Sequence, residues 1–462
     1  MSKKILTDTS GFDAAVCGVS ALAPAPSSEG GTMFRNIQVE STPSKLENAR
    51  NYRRLEWKKL QKMQAIFPEI SSQIRKMGRA DYLADDKKKD RYKKAASHSL
   101  RKCGCQVVPS ERKNRKTGEM IQTKAPGTAQ VKIFPGGGMG WTWLVRCASV
   151  WFCPVCAPKI MSRRRHELEK GIKIFKKHKF YFAFVTLTIP HSYGVPLVEY
   201  MEKLQAVLKR FRSGKSWTNL KKRIGMRGYI RAQEVTCGKK TGWHPHFHEL
   251  LVLEKKLTKA EQVELTDFLK RRWVRLCAEE GITSARQEAD HLRYGVDVRC
   301  GSDPISQDYL AKTVSWELSS LTTKAAREDE RFQPLALASM LTDAEATEKE
   351  KKWAAHLWSE YMIGMYGRVA VYWSPGLKRF CGIPELSDAE LIEGEAESGP
   401  IIEADAAGFR RIAWKRLQVP LLELCEKVKL LRTEQIGAAI GADIQICEAG
   451  FDYIKEKHGD KS

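Results

Sequence analysis

The segment 243–253, WHPHFHELLVL, constrains the fold of this chain more than any other stretch. Side chains two residues apart on a β-strand point to the same side of the sheet. A strand here would present His246 and His248 together and turn Phe247 to the opposite face. Because neutral imidazole is a common ligand of divalent metals, the segment predicts a strand with a pair of metal ligands. A surface cluster or an ordered core pair of histidines is the simpler alternative.

Two further strands are predicted upstream of this one. The run 181–189, YFAFVTLTI, is rich in β-branched and aromatic residues and ends at Pro190. The run 229–236, YIRAQEVT, carries Glu234 and leads through a short turn containing glycine and lysine into the histidine strand. A short connection favours antiparallel pairing. Pairing would bring the Glu234 carboxylate beside the histidines as an oxygen ligand, whereas an isolated glutamate here would be a solvated strand residue.

A helix is predicted downstream of the histidine strand. Asp303 followed by Pro304 is typical of a helix start, and Tyr309 and Lys312 lie three residues apart, on one face of the helix. A helical tyrosine usually packs in a core or an interface. Near a metal site, however, a phenol can attack a phosphodiester, and an ammonium group can offset the developing negative charge or lower the phenol pKa.

These segments carry a family resemblance. VTLTIPH, HPHFHELLVL and YLAK, in this order, resemble the three motifs of the HUH endonucleases, and specifically of the replication initiators (Rep proteins) of rolling-circle plasmids. RCASVWFCPVCAPKIMSRR before the first motif and GRVAVYWSPGLKRFCGIPELSDAE after the third match the same family. The resemblance spans about residues 99–390. It implies an α+β fold, with an HUH core in which helices flank a central antiparallel β-sheet.

The resemblance also implies an activity and roles for individual residues. Members of the family are sequence-directed nickases that join a tyrosine to the 5′ phosphate at the nick and leave a 3′-OH for DNA synthesis. Tyr309 matches the nucleophile, with Lys312 beside it as a catalytic residue. His246 and His248 match the ligands of a catalytic Mg²⁺ or Mn²⁺, and Glu234 matches the third ligand of some members. His244 stands where the family often has another histidine, which supports the ligands or contacts substrate.

The chain departs from the family pattern at one position. Members commonly have a glutamate four residues before the tyrosine, where it activates water to end replication. Ile305 occupies this position, and Asp308, adjacent to Tyr309, points about a quarter-turn away on a helix. The resemblance therefore supports the nicking step better than the termination step.

The charge of the chain favours a polyanionic partner. Lys and Arg number 79 against 55 Asp and Glu, for a net charge of +24 and a pI near 9.5. Basic runs occur at 87–94, 163–165, 221–223 and 270–272. A single run is usually a solvated face, but four runs around the motifs predict a basic groove that contacts DNA phosphates.

Cysteines give a second chemical signal. Cys153-Pro-Val-Cys156 has the spacing of a zinc knuckle, and Cys103 with Cys147 can complete a tetrahedral structural Zn²⁺ site, with Cys105 as a possible substitute for Cys103. Disulfides and a redox Cys-x-x-Cys pair are the alternatives. The N-terminus, MSKKILTDTS, lacks the apolar core of a secretory signal, so we expect a cytoplasmic protein with reduced thiols. No uninterrupted apolar run is long enough to span a membrane.

Composition divides the chain into six predicted regions. They are a disordered N-terminal segment (1–45), a basic helical region (46–98), a Cys-rich zinc-binding module (99–166), a catalytic HUH domain (172–382), an acidic linker (383–405) and a C-terminal helical region (406–462). The catalytic domain includes a helix that starts at the capping box of Thr258 and Glu261 and stops near Gly281.

We expect a replication initiator that nicks a double-strand origin where one strand is exposed. The segment 213–216, SGKS, lacks the first glycine of a phosphate-binding loop, so unwinding would need a host helicase, and synthesis a host polymerase. A rolling-circle transposase and a non-catalytic zinc-containing DNA-binding protein are the alternative functions. The oligomeric state is left open by the sequence.

Overall fold

The structure is a computed structural model of the chain. It describes residues 45–80, 86–114, 117–134, 138–301, 331–392 and 398–458. Helices and antiparallel sheets are interspersed along these residues, which confirms the predicted α+β class.

Helices account for much of the described chain. The α-helices are α1 (Lys45–Ala80), α2 (Asp86–Ala96), α3 (Cys156–Lys177), α4 (Leu197–Phe211), α5 (Gly214–Arg223), α6 (Lys259–Glu279), α7 (Glu288–Tyr294), α8 (Pro334–Leu341), α9 (Glu348–Met365), α10 (Leu377–Phe380), α11 (Asp388–Ile392), α12 (Ala406–Trp414), α13 (Gln418–Glu426), α14 (Leu430–Ala439) and α15 (Glu448–His458). Short 3-10 turns lie at Ser99–Lys102 and Ala285–Gln287.

The strands form three sheets. They are β1 (Glu111–Lys113), β2 (Met120–Gln122), β3 (Ala129–Phe134), β4 (Gly138–Thr142), β5 (Tyr181–Leu187), β6 (Met226–Gly238), β7 (Gly242–Leu253), β8 (Val296–Cys300), β9 (Arg331–Phe332), β10 (Val371–Trp373), β11 (Ile402–Ala404) and β12 (Ile444–Ile446). β1 and β2 form a hairpin, and the largest sheet has the order β10-β6-β7-β5-β8, with β9 also paired to β6.

The histidine strand lies at the centre of the largest sheet. β7 pairs antiparallel with β6, as the sequence predicted, and with β5 on its other side. The turn between β6 and β7 ends at Gly242, whose φ of +76° is left-handed. A Cβ at this position would lie 2.8 Å from the carbonyl oxygen of Ser192, so the turn needs glycine for both conformation and space.

The third sheet joins distant parts of the sequence. Its order is β12-β11-β3-β4, so two three-residue strands near the C-terminus extend the hairpin of β3 and β4. Val131 of β3 and Ile402 of β11 are opposed and both are buried. β3 and β4 lie in the predicted zinc-binding module, whereas β11 lies in the predicted acidic linker and β12 in the predicted C-terminal helical region, and no strand was predicted for either of the last two regions.

Helices cover the sheets with apolar faces. Leu60, Met63 and Ile70 of α1 are buried, whereas Leu55 on the same helix is 55% exposed. α6 starts at the predicted capping box, in which Thr258 Oγ1 accepts from the Glu261 backbone amide at 3.2 Å. Among the residues that the structure describes, none of the helices is both long and apolar enough to cross a bilayer.

Candidate functional site

The register of β6 and β7 brings three potential metal ligands together. Glu234 lies directly opposite His246, and Ala232 lies opposite His248, so all three polar side chains share one face of the sheet. Glu234 Oε2 is 3.0 Å from His246 Nε2 and 3.6 Å from His248 Nε2. One ligand atom from each residue lies within 4.8 Å of the others. Glu234, His246 and His248 together form the histidine cluster.

Neighbouring side chains orient these ligands. Thr186 of β5 lies opposite His248, and its Oγ1 is 3.3 Å from His248 Nδ1. The ring of Phe184 stacks on the His248 imidazole with a centroid distance of 5.5 Å and an interplanar angle of 5°. Gln333, which precedes α8, donates from Nε2 to Glu234 Oε1 at 3.3 Å. Contacts of this kind hold the ligands of a metal in place and fix the histidine tautomer.

The three side chains differ in exposure. Glu234 and His248 are buried, whereas His246 is half-buried. The arrangement therefore opens to solvent on the His246 side. Two imidazole nitrogens and one carboxylate oxygen can hold a divalent cation with coordination positions left for water or a phosphate oxygen. Such a cation acts as a Lewis acid on a phosphodiester.

A second pair of histidines adjoins the cluster. The rings of His244 and His191 stack with a centroid distance of 4.4 Å, and the His244 ring lies 5.1 Å from that of His246. The half-buried His244 is thus next to the cluster, and its carbonyl oxygen lies 3.4 Å from His246 Nδ1. His191 belongs to the VTLTIPH motif, but no role was predicted for it from the sequence.

Part of the predicted site lies outside the described residues. This applies to Tyr309 and Lys312, the predicted catalytic residues, and to the predicted helix start at Asp303 and Pro304. Ile305, at the position of the family glutamate, also lies there. Their roles remain predictions.

A second cluster consists of cysteines. The Sγ atoms of Cys103, Cys147, Cys153 and Cys156 lie within 4.8 Å of one another. Individual Sγ–Sγ distances include 3.5 Å between Cys103 and Cys156 and 3.8 Å between Cys147 and Cys156. A disulfide needs a separation of about 2.05 Å, so these are free thiols at the spacing of ligands around one ion.

Cys105 lies beside this cluster rather than in it. Its Sγ is 3.5 Å from Gln64 Oε1 and 3.6 Å from the carbonyl oxygen of Cys103. Hydrogen bonds from the other three cysteines, first of all Cys147, hold the pKa of Cys103 well below its usual value. This favours a thiolate at Cys103, and thiolate is the form that binds zinc.

No role was predicted from the sequence for three residues near the histidine cluster. Thr186 is one of several β-branched residues in its strand, and Gln333 lies 99 residues from Glu234 in the chain. His191 was within reach of sequence reasoning, because it follows Pro190 at the end of a predicted strand. The other two could be found only from the fold.

Comparison with known proteins relates the chain to replication proteins. Residues 141–279 match a family described as "Replication protein". The chain is similar to "Protein rep" of Streptomyces lividans, with 27% identity over 325 residues, covering 57% of this chain and 70% of that protein. It is also similar to "Neomycin resistance protein" of Streptomyces cyanogenus, with 28% identity over 134 residues, or 24% of this chain and 31% of that protein. No solved structure matches it significantly.

The family match covers most of both clusters. Glu234, His246 and His248 lie within residues 141–279, as do Cys147, Cys153 and Cys156, whereas Cys103 and Tyr309 lie outside. The resemblance to plasmid replication initiators that the sequence motifs carry is confirmed by these comparisons.

Proposed function

We propose that this chain, which carries a replication protein domain at residues 141–279 and resembles plasmid replication initiators, is a metal-dependent tyrosine nickase with an HUH core. It would cut one strand at a double-strand origin, remain joined to the 5′ phosphate through Tyr309, and leave a 3′-OH as a primer. In the cytoplasm, a host helicase would then unwind the duplex, and a host polymerase would extend the primer.

One observation carries the proposal. Glu234, His246 and His248 place their ligand atoms within 4.8 Å of one another, in a site that opens at the half-buried His246. A structural histidine pair would not need a buried carboxylate on the facing strand. The basic composition of the chain, with a net charge of +24, supports a nucleic-acid substrate.

The proposed reaction is a transesterification. The phenol oxygen of Tyr309 attacks the phosphorus, the phenol loses its proton to solvent or a base, and the bond from phosphorus to the 3′ oxygen breaks. The 3′ oxygen takes up a proton and leaves as the 3′-OH, while the 5′ phosphate remains on the tyrosine. Lys312, three residues away, would offset the negative charge that develops on the phosphate.

The residues of the histidine cluster would hold the Mg²⁺ or Mn²⁺. When bound, this cation supplies Lewis-acid polarisation of a phosphate oxygen. Glu234 would contribute negative charge to the site. His246 and His248, on the rigid central strand, would fix the position of the cation. Thr186 and Gln333 would hold the ligand side chains in the required orientation.

The four cysteines would bind a structural Zn²⁺. All four ligands are sulfur, and a site closed by four protein ligands leaves no position for substrate. Cys103 precedes β1, and Cys156 begins α3, so the ion would tie two distant segments of the chain together. This role is separate from the chemistry at the histidine cluster.

The experiment is a comparison of tyrosine variants on supercoiled DNA that carries the origin. Wild type is expected to nick this DNA in Mn²⁺, and Tyr309→Phe should bind it without cutting. Tyr294→Phe is the matched control, because Tyr294 is 65% exposed, and its carbonyl oxygen lies 3.3 Å from Thr188 Oγ1, close to the sheet. Cutting by Tyr309→Phe would instead indicate a hydrolase, and binding without cutting by wild type would indicate a DNA-binding protein.

A further inference from the structure

A recess lies next to the cysteine cluster. Two adjoining cavities of about 610 and 350 Å³ share Phe134, Trp141, Arg146, Lys159 and Ile392 in their walls. One wall is the start of α3, where Lys159 and Arg163 lie on one face of the helix and Val155 precedes its first residue. The opposite wall is the hairpin of β3 and β4. None of the three residues of the histidine cluster contributes to either cavity.

The recess is basic. Arg146, Lys159 and Arg163 line it together with Lys132, and no carboxylate of the described residues lies within ion-pair distance of any of the four. Glu56 is the carboxylate among the described lining residues, and it is bound by Lys59 at 3.1 Å. Cations around a concave surface favour an anionic ligand.

Contacts with two tryptophans fix the position of the Arg146 side chain in the wall of the recess. Its guanidinium lies over the Trp57 ring at 5.5 Å, and its Nη2 donates to the carbonyl oxygen of Trp141 at 3.2 Å. The other terminal nitrogen, Nη1, is buried and has no hydrogen-bond partner among the described residues.

The strand wall has room for a planar group. Gly140 of β4 lies opposite Lys132, and a Cβ at Gly140 would lie 3.0 Å from the Phe134 ring. The glycine thus leaves space for the half-buried Phe134 ring beside β4. Gly138 also lies in the wall, and within the described part of the chain a Cβ there would approach only Arg53 Nη2, at 3.9 Å. A side chain at Gly138 would therefore enter open space.

We infer that this recess is a second DNA site, which binds a segment of single-stranded DNA away from the histidine cluster. Arg146, Lys159 and Arg163 would contact its phosphates, and an unstacked base would lie against Phe134 or the half-buried Trp143. A single strand is favoured over a duplex because bases that are paired cannot enter a recess to reach its aromatic wall.

The cysteine cluster builds this site. Arg146 immediately precedes Cys147, and Lys159 lies three residues after Cys156, so two of the cations are fixed by cluster residues on different segments. The inference rests on the proposed function in taking DNA as the anion. It deepens that function by separating a strand-holding site from the nicking site.

The test uses the full chain, loaded with zinc, and fluorescence anisotropy with a labelled oligonucleotide of about 20 nucleotides, single-stranded or as a duplex. The variant is Lys159→Gln with Arg163→Gln, both exposed residues. The matched control is Lys173→Gln with Lys177→Gln, which removes the same charge from exposed positions farther along α3. Gly138→Leu fills the recess without changing the charge.

The recess variant should bind the single strand about tenfold more weakly, with a salt dependence shallower by about 1.4 because two phosphate contacts are lost. Gly138→Leu should weaken single-strand binding as well, and the control pair should bind like wild type. Equal losses in the recess and control variants, unchanged binding by Gly138→Leu, or a larger loss for duplex than for single strand would each overturn the inference.

Failure of the recess proposal can be distinguished from failure of the proposed function. If wild type forms no covalent adduct on any substrate but the recess variants still lose single-strand binding, the nickase proposal fails and the recess proposal stands. If wild type forms the adduct and the recess variants bind normally, only the recess proposal fails.

Discussion

Glu234 and His246 oppose each other across β6 and β7, and the carboxylate Oε2 lies 3.0 Å from the imidazole Nε2. The pair is held on the two central strands of the sheet, whose backbones are hydrogen-bonded over their whole length. Ligands on such strands are positioned before any ion binds, which reduces the conformational entropy lost on binding.

Removal of one histidine should abolish tight metal binding. His246→Ala deletes a ligand at the open side of the cluster, and we expect Mn²⁺ affinity to fall at least about 100-fold, with no DNA cutting. Electron paramagnetic resonance of free Mn²⁺ measures the bound fraction. His166→Ala, at an exposed position on α3, is the control and should bind like wild type. Unchanged Mn²⁺ binding by His246→Ala would contradict the assignment.

Gln333 should affect metal binding through its hydrogen bond to Glu234. Gln333→Ala removes the 3.3 Å hydrogen bond to Glu234 Oε1 but leaves all three ligands in place. Loss of an orienting partner typically weakens metal binding about 10-fold to 100-fold, so we expect an effect near the lower value. Titration of Mn²⁺ by calorimetry tests this. An affinity equal to that of wild type would show that the amide does not orient the carboxylate.

Zinc content should depend on Cys153 and not on Cys105. Cys153→Ser removes one of four clustered thiols, so the purified protein should lose its bound zinc and unfold at a lower temperature. A ligand present at 100 times its Kd contributes about 2.7 kcal/mol to the free energy of unfolding. Elemental analysis and thermal denaturation measure both effects. Cys105→Ser should keep one zinc per chain, and a loss of zinc there would place Cys105 among the ligands.

Breaking a buried ion pair beside the metal ligands should lower the free energy of unfolding. Glu249, next to His248, is fully buried, and Arg212 binds it while lying over the Trp217 ring at 4.4 Å. Glu249→Ala leaves the guanidinium buried without its partner, which costs about 3–5 kcal/mol. Urea denaturation measures the loss.

An exposed pair provides the control for that experiment. Arg223 binds Glu264 at the surface, where both side chains are more than 40% exposed. Glu264→Ala should lower the free energy of unfolding by less than about 1 kcal/mol, because solvent screens the interaction. Equal effects of the two substitutions would mean that the burial of Glu249 does not matter.

The histidine cluster was predictable because its geometry is local. A period-2 strand fixes the common face of His246 and His248, and a short turn fixes the antiparallel strand that carries Glu234. The four clustered cysteines were likewise found from their spacing. The choice between Cys103 and Cys105 as the fourth ligand could not be made from the sequence. The two cysteines are only two residues apart, and the direction of each side chain depends on the packing of α1.

Long-range features were not predictable in the same way. β11 and β12 are three residues each, too short to show a strand pattern in a predicted linker and a predicted helical region, and β11 pairs with β3 while β12 pairs with β11. The contact of Gln333 with Glu234 depends on β9 and α8, which follow residues outside the described part of the chain. Sequence patterns of strands and turns do not encode such contacts.

The most direct test of the central claim is to identify the residue that becomes joined to DNA. Wild type is incubated with Mn²⁺ and single-stranded DNA carrying the origin, and the adduct is digested with trypsin and sequenced by mass spectrometry. We expect a nucleotide on Tyr309, and no adduct when Mn²⁺ is chelated or when His246 is replaced by Ala. A nucleotide on another residue, or cut DNA with no attached peptide, would contradict the claim.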